Sequence, residues 1–476
     1  MSFKEFHIIG AGAGGLSLAL MLQKSGHKVT IYEAHSIPGG CASWYQRGPY
    51  RFDVGATTLS GMINNGPLQQ FLDEQEIKLE MRHVDPGLVV HFNRGQLKRV
   101  SDNKLWIEQL DHFFPNAHHQ QTWNHILEDA EKCWSILNDV KNFPPRNIHD
   151  LLQQLDFSLF EKVKLLPLLV KSFESYTNKY LSDPELKRII DQLLLISTQS
   201  TSDDVAALVG ILGAHYPLDT WYPLGGIGTF SETLASTFTQ RGGDIKYSKK
   251  LIGIEQSGKD YLLHFKDQKI SAENVVVNIP VWNLVSLCQG KMKSSFEKTS
   301  QRAGEAWGAM TCYGVVKPNE PIEALYHQVH DQKDSSLFFS FSDKNDHIRS
   351  PFGEQVFSVS THIKIQNMSN KKMDKESYLN EKKIFQERVE QALKTKMGID
   401  HFKIDSVGTP QTFERFTKRH NGWVGGIPHR MSLPLWDYPA AQTPFKNFWR
   451  VGDTVFPGQG IVGVISGAKI LYQMIR

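Results

Sequence analysis

EFHIIGAGAGGLSLALMLQKSGHKVTIYEA (5–34) decides how this chain folds. A short apolar run, EFHIIG, leads into GAGAGG (10–15) and then LSLALMLQKSG. There Leu16, Ala19, Leu20 and Leu22 give a helical pattern and Gly26 is the expected C-cap. KVTIYEA (28–34) reads as a second strand, ending in Glu33 and Ala34. The order is strand, glycine turn, helix, strand, acid, and each part has a physical job. Gly10 permits the tight turn, Gly12 lets a pyrophosphate approach the backbone, and Gly15 lets the helix pack on the strand. The N–H groups of the helix start face the phosphates, and Glu33 accepts from a ribose hydroxyl. The alternative is a glycine-rich turn in an unrelated α/β unit.

Two further stretches bear on which dinucleotide is meant. SIPGGCASWYQRGPYRFDVGATTLSG (36–61) places a second glycine pair, Gly39 and Gly40, just after the acid, then a hairpin signal around Arg47–Gly48–Pro49. RVGDTVFPGQGIVGV (450–464) sets one carboxylate, Asp453, between a strand-like run and a glycine loop that enters an apolar helix. A strand returning to the same sheet would bring that loop beside the first glycine turn. Asp453 would then accept from the ribityl hydroxyls of FAD, and Gly458–Gly460 would let main chain lie against the flavin ring. The helix start near Ile461 would aim N–H groups at the pyrimidine edge and stabilise the anionic reduced flavin. The alternative is a turn in which Asp453 is a helix N-cap.

With these motifs in order, the chain resembles the flavin amine oxidase superfamily, and within it the carotenoid desaturase and isomerase branch related to phytoene desaturase. GGCAS, FDVGAT, WYPLGGIGTFSETLA (221–235), TPQTFERFTKRHNGWVGGIP (409–428) and VGDTVFPGQGI carry the resemblance, which is weakest over about 100–220 and 320–400. It implies FAD as cofactor, held at Gly10, Gly12, Gly14, Gly15, Glu33, Ala34, Gly39, Gly40, Cys41, Leu251, Gly452, Asp453, Gly460 and Ile461. Many relatives carry Arg where this chain has Cys41, which removes a charged phosphate or flavin contact and argues against an amine oxidase proper.

The expected fold is α/β: a Rossmann-like FAD-binding domain of the glutathione-reductase type, interwoven with an α+β substrate domain that has an antiparallel sheet and a helical cap. The FAD domain is expected at 1–65, 220–300 and 405–476, and the substrate domain at 66–219 and 301–404. Residues 66–82 look helical, 88–100 look like a hairpin, and 103–215 look mostly helical. YLLHF (261–265), NVVVNIP (274–280), and the runs 310–317, 336–343 and 355–364 look like strands, and 371–396 a charged amphipathic helix.

Composition sets the outer limits. At 476 residues two or more domains are expected. Lys plus Arg is 53 against 50 for Asp plus Glu, a net +3 that gives no whole-protein field for nucleic acid. Cys41, Cys133, Cys288 and Cys312 are scattered, with no CxxC and no HExxH, so reduced thiols, a cytoplasmic location and no metal site are expected. The uncharged run 8–22 is too short and too glycine-rich for a membrane span, and it lacks the flanks of a signal peptide. FSLFEKVKLLPLLVKSF (157–173) mixes apolar residues with lysines and is the expected peripheral contact with a membrane, an internal cap helix being the alternative.

The resemblance implies a lipid-soluble polyene as substrate. An allylic C–H is too weak an acid for an ordinary carboxylate, so flavin N5 is expected to accept a hydride while the protein supplies alignment and an apolar tunnel. No catalytic dyad stands out; His215, His420 and His429 are read as ordinary surface or loop histidines. Trp44, Trp221, Trp282 and Trp423 are candidates for the tunnel wall or for ordinary core. Without a second dinucleotide motif for NADPH, oxygen or a quinone is the expected electron acceptor. Desaturation is the leading reading. The alternatives are cis–trans isomerisation at the same site, a non-catalytic isoprenoid carrier, and an oxidase of amines or other lipids.

Overall fold

The computed structural model describes residues 3–115, 118–139, 144, 165–332, 335–365 and 375–475. Its first sheet is parallel and five-stranded, in the order Phe448–Arg450, Asn274–Val277, Glu5–Ile9, Lys28–Tyr32, Asp244–Lys246. Strands from both ends of the chain therefore share one sheet, and the two glycine loops that follow its edges of sequence are brought together. The strands read as apolar runs because both faces are covered. Phe6, Ile8 and Ile31 pack under the helices Ala13–Lys24, Ile227–Gln240 and Gly460–Ile475. Ile9, Val275 and Val277 pack against a three-stranded antiparallel layer, Leu251–Ser257, Asp260–Phe265 and Lys269–Ala272.

The second sheet has seven strands, in the order Phe402–Gly408, Trp307–Val316, Gln355–Lys364, Ser335–Phe341, Tyr326–Gln332, Leu88–Phe92, Gly95–Arg99. It is antiparallel except where Tyr326–Gln332 runs parallel to Leu88–Phe92. The charged helix Lys375–Met397 covers one face through Phe385, Val389 and Leu393. The helices Pro184–Thr198 and Ala207–His215 belong to a separate apolar cluster with Trp106, Trp123 and Phe173.

The structure bears on three expectations. The helix expected over 66–82 stops at Glu74, because Glu76 takes a left-handed φ of 55° and Ile77 closes the end by donating to Leu72 O; Met81–His83 is a strand paired with Trp221–Pro223. The boundary expected at 405 would cut Phe402–Gly408, which pairs along its length with Trp307–Val316. We propose instead that the chain changes units after Gly408. Of the stretch 157–173, residues 157–164 lie outside the described residues. The remainder forms the short helix Leu166–Val170, with Leu168 buried and Leu166 and Val170 exposed. Among the described residues no helix is long and apolar enough to cross a membrane.

The larger sheet buries His91 and His330 and half-buries His327. His91 Nε2 lies 2.9 Å from His327 Nδ1, and His330 is 3% exposed. Burial pushes His91 and His327 down to about 4 and His330 to about 3, with Lys396, Lys98 and Arg188 adding like charge nearby. All three folded values lie below the unfolded value of 6.5, so the unfolded chain takes up protons first. Their contribution to stability is complete above about pH 6.5 and is lost as pH falls toward 4, on the order of 1 kcal/mol per pH unit for each histidine. Urea midpoints measured from pH 7.5 to 5 should fall steadily through this window, and the slope should shrink in His330→Gln. A flat profile would mean that these rings already titrate normally in the folded protein.

Candidate active site

The first glycine turn is held by contacts that leave no room for a side chain at Gly10 or Gly15. Gly10 has φ +101°, its N–H donates to Tyr32 O at 2.8 Å, and a Cβ there would lie 2.7 Å from Asn278 O. A Cβ on Gly15 would lie 2.4 Å from Gly10 O, which is the close helix–strand packing expected of that position. Asn278 ties the turn together: its Nδ2 donates to Gly10 O at 3.1 Å and its N–H to Ile9 O at 2.8 Å. Its Oδ1 sits beside Gly14 and Gly452. The sequence reading missed Asn278. Its signal was its place, just past the buried strand NVVV, where an open parallel sheet keeps its ligand groups.

Glu33 is buried at the end of the second strand. Its Oε2 accepts from Ala11 N at 2.7 Å and its Oε1 from His35 N at 2.8 Å. Each oxygen retains a lone pair for a hydroxyl. The second glycine pair folds back on the first: Gly39 N donates to Ala11 O at 2.8 Å, and Gly12 and Gly39 form a parallel bridge. The C-terminal loop closes the other side. Asp453 Oδ2 lies 2.9 Å from Arg419 Nη1, and the Arg419 side chain also reaches Cys41. Burial pushes the Cys41 thiol up, against the pull of Arg419. No reading of the sequence singled out Arg419; only the tertiary path of 409–428 brings it here.

These groups line one cavity of about 700 Å³. Of the fourteen residues expected to hold the cofactor, all but Gly15 face it, and Gly15 lies beneath the turn. At the far side the wall includes Ile196, Leu208, Leu212, Phe338 and Phe456. The cavity-facing strands Trp307–Val316 and Gln355–Lys364 add the pairs Thr311/Ser360, Tyr313/Ser358 and Ala309/His362. Near the loop Gly458–Gly460 the polar groups are His429, Gln459 and Gln199, whose Nε2 lies 2.9 Å from His362 Nε2. Among the described residues, the wall carboxylates Glu33, Asp53, Asp219 and Asp453 are all engaged by backbone N–H groups or an arginine.

Two of the histidines depart from expectation, and the tryptophans fall to the second of their two readings. His215 and His429 line the cavity, and only His420 is an exposed loop residue. Burial pushes His215, His362 and His429 down to about 4, so all three are neutral at pH 7. The four tryptophans are not in the wall. Trp44 donates to Glu232, Trp221 to Asp219 and Trp282 to Gly304 O, while Trp423 packs edge-on to Trp282 at 4.7 Å.

The site fits FAD on its own geometry. A turn with no room for a Cβ at Gly10 or Gly15 adjoins a helix start, a carboxylate with free lone pairs follows one strand later, and a buried guanidinium lining the same cavity keeps Nη2 without a hydrogen-bond partner among the described residues. A profile of the flavin containing amine oxidoreductase family matches residues 13–422. The chain is similar to a chloroplastic prolycopene isomerase of Daucus carota, 25% identical over 96% of this chain and 77% of that one. It is also similar to a phytoene desaturase of Phycomyces blakesleeanus, 21% identical over 98% of this chain and 84% of that one. Among solved structures, an oxidoreductase from Methanosarcina mazei matches 98% of this chain and 100% of its own with a TM-score of 0.68 at 17% identity, which shows a shared fold. With that match covering residues 13–422, well over half of the chain, the chain belongs to the flavin-containing amine oxidoreductase family, as an FAD-dependent oxidoreductase.

Proposed function

We propose that this enzyme acts on a lipid-soluble polyene, desaturating a carotenoid or related polyisoprenoid. The observation that carries this reading is the cavity itself, which runs without interruption from the glycine turn to a wall of Ile196, Leu208, Leu212, Phe338 and Phe456. The expected set from Gly10 to Ile461 then holds the cofactor. Glu33 takes the ribose, Asp453 the ribityl chain, Leu251 the adenine and the helix start at Gly460–Ile461 the pyrimidine edge. Bound FAD supplies hydride acceptance at N5. The apolar wall holds the chain of the substrate across that point and excludes water. Neutral His362 and His429 stand at the same end, available to take the proton released from the neighbouring carbon. The exposed Leu166 and Val170 support entry of the substrate from a bilayer.

Isomerisation is the second reading, favoured by the prolycopene isomerases among the relatives. One experiment separates the two. Purified enzyme, oxidised or reduced with dithionite, is mixed anaerobically with an acyclic carotenoid in detergent or in liposomes. Desaturation predicts flavin bleaching and a product two hydrogens lighter with oxidised enzyme only, faster from liposomes. Oxygen or a soluble quinone should then restore the flavin colour. A product of unchanged mass with reduced enzyme means isomerisation. No change in either state removes the polyene.

A further inference from the structure

Arg419 belongs to neither glycine motif. The helix Pro410–Thr417 ends at Lys418, whose left-handed φ of 60° turns the chain inward. As a result Arg419 is buried while Lys418 and His420 on either side are exposed. Its Nε donates to Trp423 O at 2.7 Å, and its Nη1 faces Asp453 Oδ2 at 2.9 Å. Its side chain is 9% exposed, and among the described residues Nη2 has no acceptor. Burial is the largest single influence and opposes the charge on the guanidinium, but Asp453 and Cys41 together outweigh it, so Arg419 stays a cation.

A buried, charged donor left without a partner is destabilising. The wall around it indicates what removes that cost. Cys41, which the side chain reaches, directly follows Gly39–Gly40. Gly40 packs on Gly12, where a Cβ would come within 3.7 Å of Gly12 Cα, and Gly12 is the N-cap of the helix Ala13–Lys24. The guanidinium and the free N–H groups of that helix start therefore border the same part of the cavity. Two sources of positive potential, one with an unused donor, suit a doubly anionic group rather than a neutral polyol. Asp453 next to it meets Nη1, and among the described residues Nη2 has no hydrogen bond to it.

Building on the FAD reading, we propose that Arg419 is a cofactor-positioning residue whose Nη2 donates to the diphosphate of the bound FAD. The segment 409–428 thus supplies, across the substrate-side sheet, the phosphate cation that the dinucleotide motif itself lacks. Cofactor retention then depends on the seating of that segment.

Apoprotein is titrated with FAD, followed by flavin fluorescence, and with ADP, followed by calorimetry. Parent protein that binds no FAD would sink the cofactor reading, and this proposal with it. Given parent binding, Arg419→Gln should weaken FAD and ADP alike, by roughly 10- to 100-fold for a hydrogen bond to a charged group. Arg419→Lys keeps Asp453 paired, and with it the local fold. Its single ammonium is spent there, so it should bind ADP about 10-fold more weakly than the parent. ADP affinity unchanged in Arg419→Lys overturns the proposal even if Arg419→Gln fails to fold. So does a loss confined to FAD, which would place the guanidinium at the flavin end. Full recovery of ADP affinity in Arg419→Gln/Asp453→Asn also overturns it, because the loss would then come from unpaired Asp453.

Discussion

Arg349→Met is expected to remove about 3–5 kcal/mol of stability, the range for stripping one partner from a buried ion pair. Arg349 and Asp53 are 1% and 0% exposed, and Nη1 meets Oδ2 at 3.0 Å. The pair does not stand alone. Asp53 Oδ1 accepts from Ile227 N at 3.0 Å at the start of the helix Ile227–Gln240, and Arg349 Nε donates to Arg51 O at 3.2 Å. Asp346 accepts from Tyr222 Oη at 2.6 Å and from Gly225 N at 2.7 Å. One set of charges thus joins the hairpin Trp44–Asp53, the return strand Trp221–Pro223 and the loop after Ser335–Phe341. Methionine would leave the buried Asp53 with the Ile227 N–H and the more distant Arg51 to offset a burial that already pushes its carboxyl up. Urea unfolding of the FAD-loaded protein measures the loss. Arg349→Met/Asp53→Asn should recover a large part of it, because the uncompensated charge is then gone. A single-variant cost below about 1 kcal/mol would show that water already reaches Asp53.

Local chemistry made the first βαβ unit legible. Gly10 needs a positive φ, the helix has its period, and Glu33 ends an apolar strand; none of this requires knowing what lies elsewhere. The C-terminal loop was legible for the same reason, and the parallel pairing of Phe448–Arg450 with Asn274–Val277 is what carries it to the first glycine turn. Asn278 and Arg419 were not legible. Each is an ordinary polar residue in its own stretch, and each acquires its place only when strands remote in sequence become neighbours. The strand Tyr326–Gln332 was missed because YHQVHDQ has no apolar run; its polar groups are buried by the parallel neighbour Leu88–Phe92 and by Ser335–Phe341. The histidines were misjudged for a related reason. Sequence gives a ring its type, but exposure decides its charge, and His429 lies against Tyr438 and the Gly458 loop, away from solvent.

Gly15→Ala is expected to release FAD. The added Cβ would lie 2.4 Å from Gly10 O and 2.8 Å from Asn278 Nδ2. Neither can yield cheaply. Gly10 O belongs to the turn leaving the strand Glu5–Ile9 and accepts the Asn278 amide, and Asn278 N–H is itself bonded to Ile9 O. The helix Ala13–Lys24 must therefore move off the sheet, and with it the N–H groups at its start. Overpacking of this kind costs about 1–3 kcal/mol, equivalent to roughly 5- to 150-fold in FAD affinity if the strain falls on the helix start. Flavin-to-protein absorbance after gel filtration measures it directly. Gly26→Ala is the matched control. Gly26 has φ +84°, and a Cβ there meets nothing within 4 Å, so alanine strains the backbone without touching the turn. That variant should lose some thermal stability and keep its flavin. Were both variants to hold FAD equally, the close approach of Gly15 to Gly10 would be a packing feature of the sheet alone, and the cofactor would take its phosphate contacts from the Gly39–Gly40 side of the cavity.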